Sequence, residues 1–170
     1  MKILLTGSDG QLGHDFRKIF STKKIEHIIT DYEELDITNY ENLKKFFQEN
    51  EGITHIINCA AYNNVDKAEN DSKTWLLNAE APKNLALIAE KIGSIFVTYS
   101  SDFVFDGLKK KPYIEKDILN PISEYSKSKA QGEKMVLESC KKSFVIRTSW
   151  LFGIGGNNFN KQVLNWSKMR

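Results

Sequence analysis

Cysteine is scarce in this 170-residue chain, and so is any surplus of one charge. Cys59 and Cys140 are the only two cysteines. Neither has metal-ligand spacing, so no metal is expected, and so low a count suits free thiols in a reducing compartment. The net charge of +2 is too small to argue for nucleic acid or a membrane surface as partner. The basic run Lys109-Lys110-Lys111 reads as a solvated loop. No apolar run is long enough to span a bilayer. Lys2 leads straight into a strand rather than into a secretory signal, and a cytoplasmic protein is the expectation. Repeats of 20–50 residues and low-complexity linkers are also missing, so residues 1–170 are expected to form one domain. What is present is ordinary for a globular chain with a real core: 41% hydrophobic and 27% charged residues.

The informative stretch is the first one. Ile3, Leu4 and Leu5 form an apolar run too short for a helix and right for a buried strand. Gly7, Gly10 and Gly13 follow at a spacing of three, and Leu12, Phe16, Ile19 and Phe20 then recur at helical period. Strand, glycine turn and helix together form the context in which such a turn holds a dinucleotide. Glycine lets the backbone approach a pyrophosphate, and the first N–H groups of the helix point at it. Residues 25–30 read as a second strand ending at Asp31. An acidic residue about 20 positions beyond the glycine turn is placed to accept hydrogen bonds from an adenosine ribose, which favours NAD over NADP.

Further along, Leu35-Asp36-Ile37 is expected as a very short third strand. Thr38-x-x-Glu41 reads as a capping box ahead of a helix bearing Leu43, Phe46 and Phe47. Residues 55–61 form a strand running into small residues. A helical pattern covers 66–92, broken near Asp71-Ser72 and open to a kink at Pro82, with Trp75, Leu76, Leu85, Leu87, Ile88 and Ile92 on its buried side. Residues 94–101 are a strand, Ser123 caps a helix to about Cys140, and residues 144–150 are the last strand. Glycines 153, 155 and 156 mark a loop before a final amphipathic segment. Alternating strands and helices predict an α/β fold, a Rossmann-like doubly wound parallel sheet with helices on both faces.

Tyr125-x-x-x-Lys129 lies one turn into the helix capped by Ser123, and residues four apart share a helix face. A phenol with a pKa near 10 donates a proton reluctantly at neutral pH, and a neighbouring ammonium is expected to lower that value. Tyr125 is therefore a candidate general acid toward a carbonyl oxygen, with Ser101 as a second donor. Tyr40 and Lys44 show the same step but follow no serine-bearing strand end, and no function is assigned to them.

The glycine turn, Asn58-Cys-Ala-Ala-Tyr62, Val65-Asp-Lys-Ala-Glu69, Ser100-Ser-Asp-Phe-Val-Phe-Asp-Gly107, Tyr125-x-x-x-Lys129 and Arg147-Thr-Ser-Trp-Leu-Phe-Gly153 together resemble the extended short-chain dehydrogenase/reductases. More narrowly, they resemble the dTDP-4-dehydrorhamnose reductases. The resemblance implies NADH- or NADPH-dependent reduction of the 4-keto group of dTDP-4-dehydro-6-deoxy-L-mannose to dTDP-L-rhamnose, a building block of cell-surface polysaccharide. It implies Ser101, Tyr125 and Lys129 as catalytic residues. Gly7, Gly10, Gln11, Leu12 and Gly13 would line the pyrophosphate, Asp31 the adenosine side, and Asp36 and Ile37 the adenine. Ala60, Ala61 and Tyr62, with Tyr125 and Lys129, would border the ribose and nicotinamide. Asn63, Ser101, Asp102, Phe103 and Trp150 would face the nucleotide-sugar substrate. Asn63 stands where the family often has threonine, and Phe103 where tyrosine is common. Family members continue well past Arg170, so the chain is expected to be the cofactor-binding half of a longer protein, binding cofactor with little turnover. Pairing of two copies is left open. Two alternatives share the pattern: a non-catalytic dinucleotide-binding subunit like the regulatory subunit of methionine adenosyltransferase, and a reductase or epimerase of another nucleotide sugar.

Overall fold

The computed structural model describes residues 1–156 and 158–168; Arg170, the position beyond which the resemblance expects further chain, lies outside them. Five strands form one parallel sheet: β1 (Lys2–Thr6), β2 (Glu26–Thr30), β3 (His55–Asn58), β4 (Ile95–Ser101) and β5 (Ser143–Thr148), in spatial order 2-1-3-4-5. Leu4 of β1 pairs with Ile28 on one side and Ile56 on the other. Side chains alternate across a strand, so neighbouring apolar residues enter opposite layers. Ile3 and Leu5 pack with Phe20 of α1 (Gln11–Lys23) on one face. Leu4, Ile56 and Phe96 pack on the other against Leu43 of α2 (Tyr40–Glu49), Leu85 of α5 (Ala81–Ile92) and Val136 of α6 (Glu124–Ser139). Leu4, Ile56, Phe96, Leu85 and Val136 are fully buried, each such apolar side chain contributing about 1.5–3 kcal/mol. This is the doubly wound sheet with helices on both faces.

Strand order reverses between β1 and β3. From there the chain winds outward one way to β2 and the other way to β4 and β5, leaving a crevice at the carboxyl ends of the strands. Gly7, Gly10, Asp31, Ser101, Tyr125 and Lys129 border cavities along that edge.

Several local expectations need correction. Leu35-Asp36-Ile37 is not a strand: Leu35 N–H bonds back to Asp31 O, and Asp36 Oδ1 accepts from Thr38 N and Oγ1. Leu35 and Ile37 are buried as loop residues instead. Thr38 is thereby engaged, and Asn39 caps α2, its side chain accepting from Glu41 N and Asn42 N. The stretch 66–92 breaks into α3 (Val65–Ala68), α4 (Lys73–Trp75), a wide turn at Leu76–Glu80 and α5. Pro82 is accommodated just upstream, where Ala81 N–H reaches Leu76 O, five residues back. Leu85 and Ile88 are buried there as expected, but Trp75, Leu76, Leu87 and Ile92 are exposed. Leu87 stands two positions from Leu85 and so lies on the far side of the helix. β3 stops at Asn58, before the small residues, and β5 stops at Thr148. Trp150, at φ 51 in the left-handed region, belongs to the loop leading to α7 (Phe159–Ser167).

Candidate active site

The glycine turn is a close-packed joint. Gly7 has φ 66, and a Cβ on it would lie 2.4 Å from Ala60 N; a Cβ on Gly13 would lie 2.2 Å from Gly7 O. Any side chain at either position would push β1, α1 and the loop after β3 apart. Gly10 occupies the cap position of α1 and offers no side-chain bond to its first turn, leaving the leading N–H groups free to meet an anion.

Two cavities open on either side of this joint. The first, of about 430 Å³, is lined by Gly7, Asp31, Asp36, Ile37 and Ala60, together with Tyr32, Lys73 and Leu76. Asp31 is held rigidly at its rim: Oδ2 accepts from Asp9 N at 2.9 Å, Oδ1 from Tyr32 N at 2.9 Å, and its own N–H donates to Glu34 Oε2 at 2.8 Å. Arg17, a nearby cation, is paired with Asp9 Oδ1 at 2.7 Å. Apolar walls and an anchored carboxylate suit an adenosine.

The second cavity, of about 440 Å³, brings together Gly10, Gln11, Leu12, Asn63, Ser101, Asp102, Phe103, Tyr125, Lys129 and Trp150. Gln11 Oε1 and Ser100 Oγ, both from residues lining it, are buried and have no hydrogen-bond partner among the described residues. Buried polar atoms are normally satisfied, so these two are suited to a polar ligand such as a dinucleotide.

Helix α6 delivers the chemistry. Ser123 caps it through Ser126 N, and Ser126 Oγ returns a bond from Ser123 N. Tyr125 and Lys129 face inward, 9% and 7% exposed. Lys129 Nζ donates to Tyr99 O of β4 at 2.6 Å, and burial, opposed by the charge of Glu133, brings its pKa down to about 8. One turn further on, Glu133 accepts Arg147 Nε and Nη2 at 2.9 and 2.6 Å, tying α6 to β5. Asn78 Nδ2 donates to Ser128 Oγ of α6 and to Tyr62 O, while its Oδ1 accepts from Tyr62 N.

The phenol behaves differently from the sequence expectation. Burial pushes the Tyr125 pKa up, the Ser101 hydroxyl pulls it down, and the charge of Asp102 adds to the rise. Lys129 is turned to the Tyr99 carbonyl instead of lowering it. A raised pKa keeps the phenol protonated at neutral pH, the form a proton donor must have. Two other acids of this cavity are silenced further: burial pushes both the Cys59 thiol and the Tyr99 phenol up to about 12.

Ala61 and Tyr62 border neither cavity. Tyr62 is engaged with Asn78 and donates its hydroxyl to Asp71, and Gly13 is packed beneath Gly7. Residues to which sequence reasoning gave no site role include Asn78, Lys73, Leu76, Glu133 and Arg147. Glu133 left a signal, standing four residues beyond Lys129 on the same face. Asn78 left none, because only the wide turn at Leu76–Glu80 aims it at the loop after β3.

A doubly wound parallel sheet with a glycine joint at its reversal point is a Rossmann-like, dinucleotide-binding type of fold. The comparisons narrow this class. The model of the RmlD substrate binding domain matches residues 1–170, and the chain belongs to that family. A dTDP-4-dehydrorhamnose reductase of Aggregatibacter actinomycetemcomitans is 40% identical over 99% of this chain and 58% of its own length. Among solved structures, a dTDP-4-dehydrorhamnose reductase from Clostridium acetobutylicum is 44% identical with a TM-score of 0.96, covering 100% of this chain and 60% of that one. The Bacillus anthracis reductase in complex with NADP is 36% identical with a TM-score of 0.94, over 99% of this chain and 60% of that one. The chain thus spans about three fifths of the length of the relatives it matches.

Proposed function

We propose that this chain is the cofactor-holding part of an NAD(P)H-dependent reductase that converts dTDP-4-dehydro-6-deoxy-L-mannose to dTDP-L-rhamnose. The observation that carries the reading is the convergence of Tyr125, Lys129 and Ser101 on the cavity that begins at the first turn of α1. The fit of the chain to a dinucleotide supports it: an uncapped helix start, an anchored Asp31, and two buried polar atoms with no partner among the described residues.

In this reading Gly7, Gly10, Gln11 and Leu12 hold the pyrophosphate, and Gly13 lets α1 pack close beneath Gly7. Asp31, Asp36 and Ile37 hold the adenosine end, and Ala60 lies beneath the ribose, with the following loop fixed behind it by the bonds of Tyr62 to Asn78. Lys129 takes the nicotinamide ribose, whose hydroxyls give its desolvated ammonium acceptors beyond the Tyr99 carbonyl. The nicotinamide, when bound, supplies the hydride. Tyr125 gives its hydroxyl proton to the carbonyl oxygen as that oxygen becomes an alcohol, and Ser101 offers the same oxygen a second donor. Asn63, Asp102, Phe103 and Trp150 meet the sugar.

The test is oxidation of reduced nicotinamide by the full-length protein, with the keto-sugar nucleotide as acceptor. Y125F is expected to cut turnover by about 10²–10⁴-fold, the usual contribution of a positioned general acid, and to keep cofactor affinity. Wild-type turnover in Y125F contradicts the assignment. For the 170-residue chain alone, cofactor binding with little turnover is expected, and vigorous reduction by it contradicts that part.

A further inference from the structure

The second glycine cluster, Gly153, Gly155 and Gly156, has no part in the chemistry above, yet all three glycines lie against the first turns of α1. A Cβ on Gly153 would lie 2.8 Å from Asp15 Oδ2, and one on Gly155 2.7 Å from His14 Cβ. A Cβ on Gly156 would lie 3.1 Å from Gln11 Cβ and 3.3 Å from Gln11 N. Gln11, His14 and Asp15 stand at i, i+3 and i+4, which is a single helix face. The loop therefore rests bare backbone along the face of α1 that begins at Gln11. Gly156, at φ 61, turns the chain at that end in a conformation that favours glycine. The same loop is tied to α7. Asn158, only 7% exposed, donates from Nδ2 to Gly153 O at 2.9 Å and accepts Lys161 N–H at 3.1 Å. Lys161 Nζ donates to Gly156 O at 2.8 Å and also to Ile154 O. An ammonium carries three hydrogens and accepts none, so Lys161 gathers two carbonyls of the loop around one cation.

Gln11 supplies the first N–H of the uncapped start of α1. Such a group binds an anion more strongly the less water competes for it and the less it must move to do so. A loop seated at backbone distance beside it serves both ends: it shuts water out from one flank and holds the helix turn still. We infer that the glycine loop 153–156 is the second wall of the pyrophosphate site, and that Gly155 and Lys161 are positioning residues that keep this loop pressed on α1. Gly155 acts by having no side chain to meet His14, and Lys161 by fastening the loop from the α7 side. The adenosine cavity opens on the other side of the glycine joint, and none of the loop's described residues lines it. The loop therefore strengthens the hold on the charged middle of the cofactor and leaves the hold on its nucleoside end alone. This inference rests on the cofactor reading above.

The experiment compares the affinities of the 170-residue chain for ADP and for adenosine, read by NMR titration of the ¹⁵N-labelled protein. The three atoms nearest a Cβ at position 155 all belong to the His14 side chain, so G155A lifts the loop and H14G removes the obstacle. G155A is expected to weaken ADP binding by about tenfold, on the scale of a hydrogen bond to a charged group. Adenosine binding is expected to stay within about twofold, as for a change remote from its site. H14G/G155A is expected to bring ADP affinity back to within about threefold of H14G, the recovery that a direct contact gives in a double-mutant cycle. K161M is measured in about 0.5 M salt, where a remote charge is screened, and is expected to weaken ADP about threefold and adenosine not at all. An unchanged ratio of the two affinities in G155A, an equal loss of both ligands, or no recovery in H14G/G155A overturns the inference and leaves the cofactor reading intact. If G155A does not fold, K161M decides by the same ratio. A wild-type chain that binds neither ADP nor NADH overturns the cofactor reading and the inference with it.

Discussion

Two helices of this chain carry the same four-residue step from tyrosine to lysine, and they come to opposite ends. On α2, Tyr40 is 36% exposed. The Lys44 ammonium lies 5.4 Å from the Tyr40 ring centroid and pairs with Glu41 at 2.7 Å. These are surface contacts screened by water and salt. On α6, Tyr125 and Lys129 are turned against the carboxyl ends of β4 and β5, and the lysine is stripped of water until its pKa falls to about 8. The spacing guarantees only a shared helix face. Chemistry requires in addition that the face be desolvated beside a strand end, and in α6 three ties enforce this: Lys129 to Tyr99 O, Ser128 to Asn78, and Glu133 to Arg147.

Three paired substitutions sharpen that contrast. The largest effect is on turnover. Y40F in the full-length protein is expected to keep keto-sugar reduction within about twofold, as surface changes usually do, against the loss described for Y125F. If Y40F proves equally damaging, position on the sheet edge is not what distinguishes the two tyrosines.

The second contrast is in stability against pH. The folded-state pKa of Lys129, about 8 against the ordinary 10.5, means that the unfolded chain binds more protons between those values. Stability at this site therefore rises with pH across that window, and the cost of burying the ammonium is fully present below pH 8. K129M removes it. Relative to K129M, the wild-type chain is expected to gain roughly 3 kcal/mol between pH 8 and 10.5 in urea unfolding. K44M should change stability by less than about 0.5 kcal/mol at any pH in the range. Parallel pH curves for wild type and K129M would show that the ammonium is not desolvated.

The smallest effect separates two caps of similar strength. S123A and N39A each remove a side-chain cap and are each expected to cost about 1 kcal/mol. Only S123A should also weaken NADH binding, by a few-fold, because the helix that Ser123 caps carries Lys129. Equal effects on NADH affinity would show that the cap of α6 has no influence on the site.

The sequence made the glycine joint, Asp31, the Ser123 cap and the inward Tyr–Lys pair legible, because each is encoded by residues close together in the chain. Legibility failed where distant partners decide. Thr38 looked like a cap until Asp36 engaged its hydroxyl. Leu87 and Ile92 looked buried because apolar character alone does not say how much of a helix the sheet covers. Lys129 was expected to tune Tyr125 and instead bonds a carbonyl 30 residues away in the chain. Asn78, with its three bonds to Tyr62 and Ser128, depends on an irregular turn that no local pattern announces.

The most direct test of the central claim is a nuclear Overhauser experiment on the ¹³C-tyrosine-labelled chain saturated with NADH. The account predicts cross-peaks from the nicotinamide and its ribose to the Tyr125 ring, which report separations within about 5 Å, comparable to ring contact distances, with none to Tyr40. Cross-peaks from the nicotinamide end to other tyrosines but not to Tyr125 would contradict it.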